Sequence, residues 1–133
     1  MTDKEHIAYW IDSAEIDYKA MLNLFESKDY VWALFLGHLV IEKLLKGLIV
    51  KHDPLLLTKT HDLNKLASLS NQELNEEQKD ILDEITLFNL ETRYPDYKLE
   101  FYKKCTKEYR KTLVYKIISN LIHSPQPSYI RLS

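Results

Sequence analysis

The chain has 133 residues, of which 45% are hydrophobic and 29% are charged, and its formal net charge is −2. This length suits one domain that buries about two thirds of its unfolded surface, and the composition excludes a disordered chain. We expect a single domain over residues 1–133, with a core at about 5–122 and a C-terminal tail at 123–133.

The chain has few of the residues that form turns, disulfides or metal sites. Only two Gly and four Pro occur, which argues against a fold of many strands. The single Cys105 cannot form an intramolecular disulfide, and no Cys/His spacing typical of a metal site surrounds it. No segment resembles a secretory signal or a membrane span. We therefore expect a cytoplasmic protein without a metal or another cofactor.

Two long helices are predicted at the start of the chain. Apolar residues recur every three or four positions from Asp3 to Ser27, the spacing of an amphipathic helix. A second helix is predicted from about Tyr30 to Lys51, because the following Asp53-Pro54 step disfavours helical backbone. Its first half is apolar on all sides, as expected for a helix central to a bundle or half buried in a partner.

The second helix also carries a narrow stripe that contains both glycines of the chain. Small residues there would let a neighbouring helix approach closely, which explains glycine inside a helix despite its cost of about 1 kcal/mol. The stripe comprises Ala33, Gly37, Val40, Leu44 and Gly47.

Local capping patterns predict two further helices. Thr60 is a candidate cap for a short helix over residues 61–70. Asn75, with Gln78 three residues later, resembles a capping box for a helix over about 76–90.

A last long helix is predicted over about 99–121, after Pro95 has interrupted the helical pattern. No segment reads as a strand, and no repeat occurs. The fold class predicted is therefore all-α, an antiparallel up-and-down bundle of four long helices plus one short helix.

Common catalytic motifs are missing from the sequence. It contains no glycine-rich phosphate loop, no nucleophile elbow, no His-Glu-x-x-His and no Cys-x-x-Cys. His38 and Glu42 lie one helical turn apart and could bind a metal or move a proton. We interpret them instead as a pair on the helix surface, with Glu42 also matched to Lys46. No catalytic residue is predicted.

One segment of this nearly neutral chain is basic. Residues 98–116 hold seven bases and two acids, whereas residues 71–92 hold seven acids and one base. The bases could hold a phosphate backbone, with a nearby tyrosine stacking on a base. Acidic helices packed beside them would neutralise the same charge. This possible nucleic-acid face comprises Lys103, Lys107, Arg110 and Lys111.

The stretch NLETRYPDYKLE, residues 89–100, breaks the helical pattern. Arg93 offers a planar fork of donors for phosphate or carboxylate, and Tyr94 and Tyr97 add flat surfaces and hydroxyls. Asp96 could pair with Arg93 or accept a proton. At a helix break these side chains can project into a cleft, or the Asp96–Arg93 pair simply fixes the turn.

Two segments, LFLGHLVIEKLLKGLIVKHD followed by KTHDLNKLA, and LETRYPDY leading into a long helix, resemble the HEPN (higher eukaryotes and prokaryotes nucleotide-binding) domain family. The resemblance covers most of residues 5–122. It implies an all-α bundle, a homodimer and, in many members, a minimal nucleotidyltransferase as partner in a toxin–antitoxin-like gene pair. By position it implies a nucleotide or RNA phosphate site that comprises Arg93, Tyr94, Asp96 and Tyr97, with Lys43 and Lys46 as phosphate contacts. His61 and Asp62 are expected to fix the loop and cap the short helix.

Ribonuclease members of the family rely on an Arg followed four to six residues later by His. Here those positions after Arg93 hold Tyr97, Lys98 and Leu99. We therefore expect a binding protein, most simply not an enzyme. Two alternatives stay open: a divergent metal-independent ribonuclease that uses Lys98 or Tyr97 in place of His, and a non-catalytic module for dimerisation or interaction. No membrane association is predicted.

Overall fold

The structure is a computed structural model, and it describes residues 2–93 and 106–121, with side chains for 2–89 and 106–119. These residues contain five α-helices and no β-strand. They are α1 (Asp3–Glu26), α2 (Tyr30–His52), α3 (Leu63–Leu69), α4 (Glu76–Arg93) and α5 (Lys107–Lys116). A short 3₁₀ turn, Pro54–Leu56, follows α2, and a π-helical turn, Ile117–Leu121, follows α5. The predicted all-α fold is confirmed.

The second helix is the centre of the bundle. α1 packs along its length, and α3, α4 and α5 contact its other sides. Fourteen of the 23 residues of α2 are buried, which confirms the central position predicted from its apolar sequence. The three residues that connect α1 to α2 reverse the chain with Lys28 in the left-handed region, at φ 66°. No helix in the described residues has the length and apolar character to cross a membrane.

The two glycines of α2 face neighbouring elements, and the approach is close at Gly37 only. A Cβ atom at Gly37 would lie 2.9 Å from Cδ1 of Ile117, in the π-helical turn. At Gly47 the nearest atoms, Cδ1 of Ile11 and Cβ of Trp10, would lie at 3.4 Å, an ordinary contact. The predicted small-residue stripe is therefore a packing surface on both sides of α2, for α1 and for the C-terminal turn.

The cap predicted at Thr60 is wrong. The short helix begins at Leu63, and Asp62 caps it by accepting hydrogen bonds from the amides of Asn64 and Lys65. Thr60 Oγ1 accepts a bond from the Asp62 amide instead, at 3.2 Å, so it fixes the turn before the cap.

The capping box before α4 is confirmed in both directions. The Asn75 amide donates to Oε1 of Gln78 at 3.1 Å, and the Gln78 amide donates to Oδ1 of Asn75 at 2.7 Å. Reciprocal bonds of this kind satisfy two amides that the helix itself cannot.

The prediction of one continuous helix over 99–121 is also wrong. Thr106 has extended backbone, with φ −68° and ψ 163°, and its hydroxyl caps α5 by accepting from the Tyr109 amide. The helical pattern is thus interrupted at Thr106. The predicted inward positions Leu113 and Ile117 are buried.

Candidate functional site

The stretch LETRYPDY, one of the two segments that resemble the family, lies at the edge of the described residues. Arg93 is the last residue given for α4, and its side chain is not described. Tyr94, Asp96, Tyr97 and Lys103 fall outside the described residues, so their role as site residues stays a prediction.

The two lysines predicted as phosphate contacts have separate surroundings. Lys43 donates a hydrogen bond of 2.6 Å to Oδ2 of Asp17 on α1, and both side chains are largely buried. Lys46 lies 3.8 Å from Oε2 of Glu42 and 5.4 Å from the ring centre of Trp10. Lys43 is therefore engaged with a carboxylate, whereas Lys46 lies beside a cleft described below.

The interpretation of His38 and Glu42 as a pair on the helix surface is wrong. Both residues are buried, at 1% and 5% exposure, and each bonds to His61 instead of to the other. His38 Nε2 lies 3.0 Å from the carbonyl oxygen of His61, and since a carbonyl only accepts, His38 donates. His61 Nδ1 donates to Oε1 of Glu42 at 2.5 Å. The match of Glu42 to Lys46 is confirmed as an ion pair.

A surface cleft of about 490 Å³ opens beside this junction. We call it the histidine cleft. The His61 side chain is 56% exposed and forms part of its wall, while the Glu42 carboxylate behind it is buried. A carboxylate on Nδ1 fixes the orientation of the imidazole, because it selects the tautomer with hydrogen on that nitrogen. The cleft is lined by Trp10, Lys46, Leu57, Thr58, Lys59 and His61.

A second cleft, of about 550 Å³, lies between the beginning of α2 and the beginning of α5. We call it the aromatic–basic cleft. Trp32, which is 64% exposed, and Phe35 form adjacent aromatic walls, with ring centres 5.5 Å apart and ring planes tilted by 41°. Phe35 in turn packs edge-on against Phe88 of α4. The lining comprises Lys28, Asp29, Tyr30, Val31, Trp32, Phe35, Lys107 and Arg110.

The aromatic–basic cleft contains half of the predicted nucleic-acid face. Lys107 and Arg110 line it, whereas Lys111 is exposed on α5 outside its wall. Within residues 2–89 and 106–119, no carboxylate forms an ion pair with Lys107. Asp29 is the acidic member of the lining.

Sequence reasoning missed Trp32 and Trp10 as site residues. Both looked like core residues because each lies in an apolar helical pattern. The available signal was that α2 begins apolar on every side, a pattern that also fits a helix half buried in a partner and so leaves room for an exposed Trp32. Among the described residues, no group of His, Cys, Asp and Glu could hold a metal ion.

Comparison with known proteins identifies the family. The profile of the HEPN domain matches residues 7–120, which is most of the chain. A search of curated proteins and a search of solved structures each found no match. With this extent of match, the chain belongs to the HEPN domain family.

Proposed function

We propose that this protein binds single-stranded RNA through the aromatic–basic cleft. HEPN membership relates the chain to nucleotide or RNA function in general. The observation that carries the proposal is that an exposed indole, Trp32, shares one cleft with two cationic side chains, Lys107 and Arg110.

Each part of the cleft suits one part of a nucleotide. Trp32 offers a flat face on which any base can stack, and such stacking contributes about 1–3 kcal/mol per base. Lys107 offers a mobile point charge for phosphate oxygens, and Arg110 adds positive charge to the wall of the cleft. Bases in a duplex already stack on each other, so their faces do not reach a protein ring. The cleft therefore favours a strand whose bases are unpaired.

We also propose that the chain forms a homodimer and acts with a nucleotidyltransferase partner, as its family resemblance implies. HEPN domains commonly dimerise. The Arg93 stretch with Tyr94, Asp96 and Tyr97 is a proposed second phosphate contact. Co-expression with the product of the neighbouring gene tests the partner: we expect co-purification, and a neighbour unrelated to nucleotidyltransferases would contradict this part alone.

The RNA proposal is tested with a short unstructured RNA in a fluorescence anisotropy titration. Because Trp32 is exposed, its replacement by Ala should leave the fold intact while weakening binding roughly tenfold to a hundredfold. The matched control is Tyr115→Ala on α5, which removes another aromatic ring that is 62% exposed and lies outside the cleft. Equal affinities for Trp32→Ala and Tyr115→Ala, or tighter binding of the same sequence as a duplex, would overturn the proposal.

A further inference from the structure

The 3₁₀ turn after α2 presents a leucine to solvent in a fixed conformation. Leu55 is 91% exposed, the highest value among the large hydrophobic side chains of the described residues. Its amide donates to the Asp53 carboxylate at 3.0 Å, and Pro54 restricts the backbone between them. Leu57, which follows the turn, packs against the core. The turn is therefore held at both ends, while Leu55 itself lies outside the core.

Leu55 belongs to a larger apolar surface. Its neighbour Leu56 is 38% exposed, and Leu57 lines the histidine cleft together with Trp10. We call Pro54–Leu56 with Leu57 the leucine turn. Single apolar side chains on a surface are ordinary, whereas adjacent ones beside a cleft are typical of a site that binds another molecule. The leucine turn and the histidine cleft are continuous, because Leu57 belongs to both.

The free charges around this surface are basic. Lys59 lines the cleft, and Lys51 lies in the last turn of α2, just before the leucine turn. Both lysines are exposed, and neither forms an ion pair within residues 2–89 and 106–119. The carboxylates nearest in the chain, those of Asp53 and Asp62, accept hydrogen bonds from backbone amides. Positive charge is therefore available to a partner at the rim of the apolar surface.

From this combination we infer that the leucine turn and the histidine cleft form a docking surface for a protein partner, which binds through an acidic segment with large apolar side chains. One apolar side chain of that segment fills the cleft beside Trp10, and Leu55 is buried against the partner. Its carboxylates face Lys51 and Lys59. Apolar burial supplies most of the affinity, and charge sets the orientation. The surface shares no lining residue with the aromatic–basic cleft.

Two other occupants fit this surface less well. A second copy bound by a two-fold contact would place the same patch on both sides, so that lysines would face lysines. A lipid bilayer is smooth, so it would cover the leucine turn and leave the cleft unfilled. An acidic protein segment satisfies both the charge and the concave shape.

A phage-displayed library of random peptides tests the inference. The library is selected on the parent chain and depleted on Leu55→Ser, so that only peptides that depend on the leucine turn remain. We expect these peptides to be rich in Asp and Glu and to contain a large apolar residue. In titrations they should bind Leu55→Ser roughly tenfold to a hundredfold more weakly than the parent chain. Ile16→Ser, which removes another apolar side chain, 70% exposed on α1, should bind them like the parent chain.

Two independent measurements check the charge and the cleft. Lys59→Glu should weaken the selected peptides roughly tenfold, while Lys19→Glu, at an exposed position on α1, should not. The chain has two Trp residues, and one lines each cleft. In a ¹H–¹⁵N spectrum, assigned with Trp32→Phe, the peptides should shift the indole signal of Trp10 and leave that of Trp32 in place.

The inference fails if no peptide survives the depletion, if the survivors lack an excess of acidic residues, if Lys59→Glu binds them like Lys19→Glu, or if they shift Trp32 instead of Trp10. Sedimentation velocity should give one oligomeric state for the parent chain and Leu55→Ser, and a difference would assign the surface to a second copy instead. Vesicles of phosphatidylserine and phosphatidylcholine should sediment neither chain, and sedimentation of the parent chain alone would assign it to a membrane. RNA binding is measured separately, and Leu55→Ser should leave it unchanged.

Discussion

Single residues set the stability of this bundle where polar groups are buried within it. Glu42 is the clearest case, because its carboxylate holds the loop at His61 on one side and faces the ammonium of Lys46 on the other. Tyr18 is a second case. It is 3% exposed, and burial raises the pKa of its hydroxyl above the ordinary value.

Replacement of Glu42 by Ala should lower the free energy of unfolding by about 3 kcal/mol, since it leaves a nearly buried ammonium without its counter-charge. Urea denaturation followed by circular dichroism measures the change. Glu26→Ala removes an exposed carboxylate at the end of α1 and should change stability by less than about 0.5 kcal/mol. Similar losses in the two variants would show that the Glu42 junction contributes no special stability.

The raised pKa of Tyr18 predicts sensitivity to alkali. Above pH of about 10 the unfolded chain loses this proton while the folded chain retains it, so stability should fall as pH rises from that value toward the raised pKa. Tyr18→Phe should remove this part of the pH dependence. Thermal melts of both chains across this range, with Tyr9→Phe at an exposed position as control, test the prediction. A parallel decline in all three chains would contradict it.

At the scale of elements, local signals predicted the helices well and their contacts poorly. The capping box at Asn75 and the stop at Pro54 depend on neighbours within three residues, so they could be read directly. The break at Thr106 was missed because no Gly or Pro marks it and the residue three positions later, Tyr109, does not complete a capping box. The His61 contacts join positions 19 and 23 residues apart, and only tertiary packing brings those together.

The two glycines of α2 should respond differently to alanine. Alanine gains about 1 kcal/mol of helix propensity at either site. At Gly47 the new methyl makes ordinary contacts, so Gly47→Ala should be stabilising. At Gly37 it would meet the buried Ile117 at 2.9 Å, and overpacking should cancel or reverse the gain.

The comparison has an internal check. Ile117→Val removes the methyl that a Cβ atom at position 37 would meet, so Gly37→Ala should become stabilising in that background. Thermal denaturation of the single and double variants measures the coupling. If the effects of Gly37→Ala and Ile117→Val on stability simply add, the new methyl at position 37 does not press on Ile117, and the prediction is contradicted.

For the whole molecule, the distribution of charge matters more than its sum. A net charge of −2 gives RNA no general attraction. Under the proposed RNA binding, affinity must therefore come from local clusters of charge such as the aromatic–basic cleft. The basic residues of this cluster could be predicted from the sequence. Their proximity to Trp32 could not, because Trp32 lies more than 70 residues earlier in the chain and only the packing of α5 against α2 brings the groups together.

Binding of RNA should accordingly depend on salt in proportion to the few phosphate contacts that the cleft makes. For single strands, each contact contributes about 0.7 to the slope of log affinity against log salt concentration. Lys107→Ala should reduce the slope by about that amount, and Lys19→Ala should leave it unchanged. Anisotropy titrations at several salt concentrations provide the slopes, and an unchanged slope for Lys107→Ala would remove this residue from the phosphate contacts.

The turn between α1 and α2 places a lysine where the backbone would favour glycine. Lys28 has φ 66°, a conformation that costs a residue with a side chain about 1 kcal/mol or more, and the same residue lines the aromatic–basic cleft. A glycine there would relax the backbone but remove a cation from the cleft. Under the proposed RNA binding, stability and RNA affinity therefore oppose each other at this position: Lys28→Gly should raise the melting temperature and weaken RNA binding.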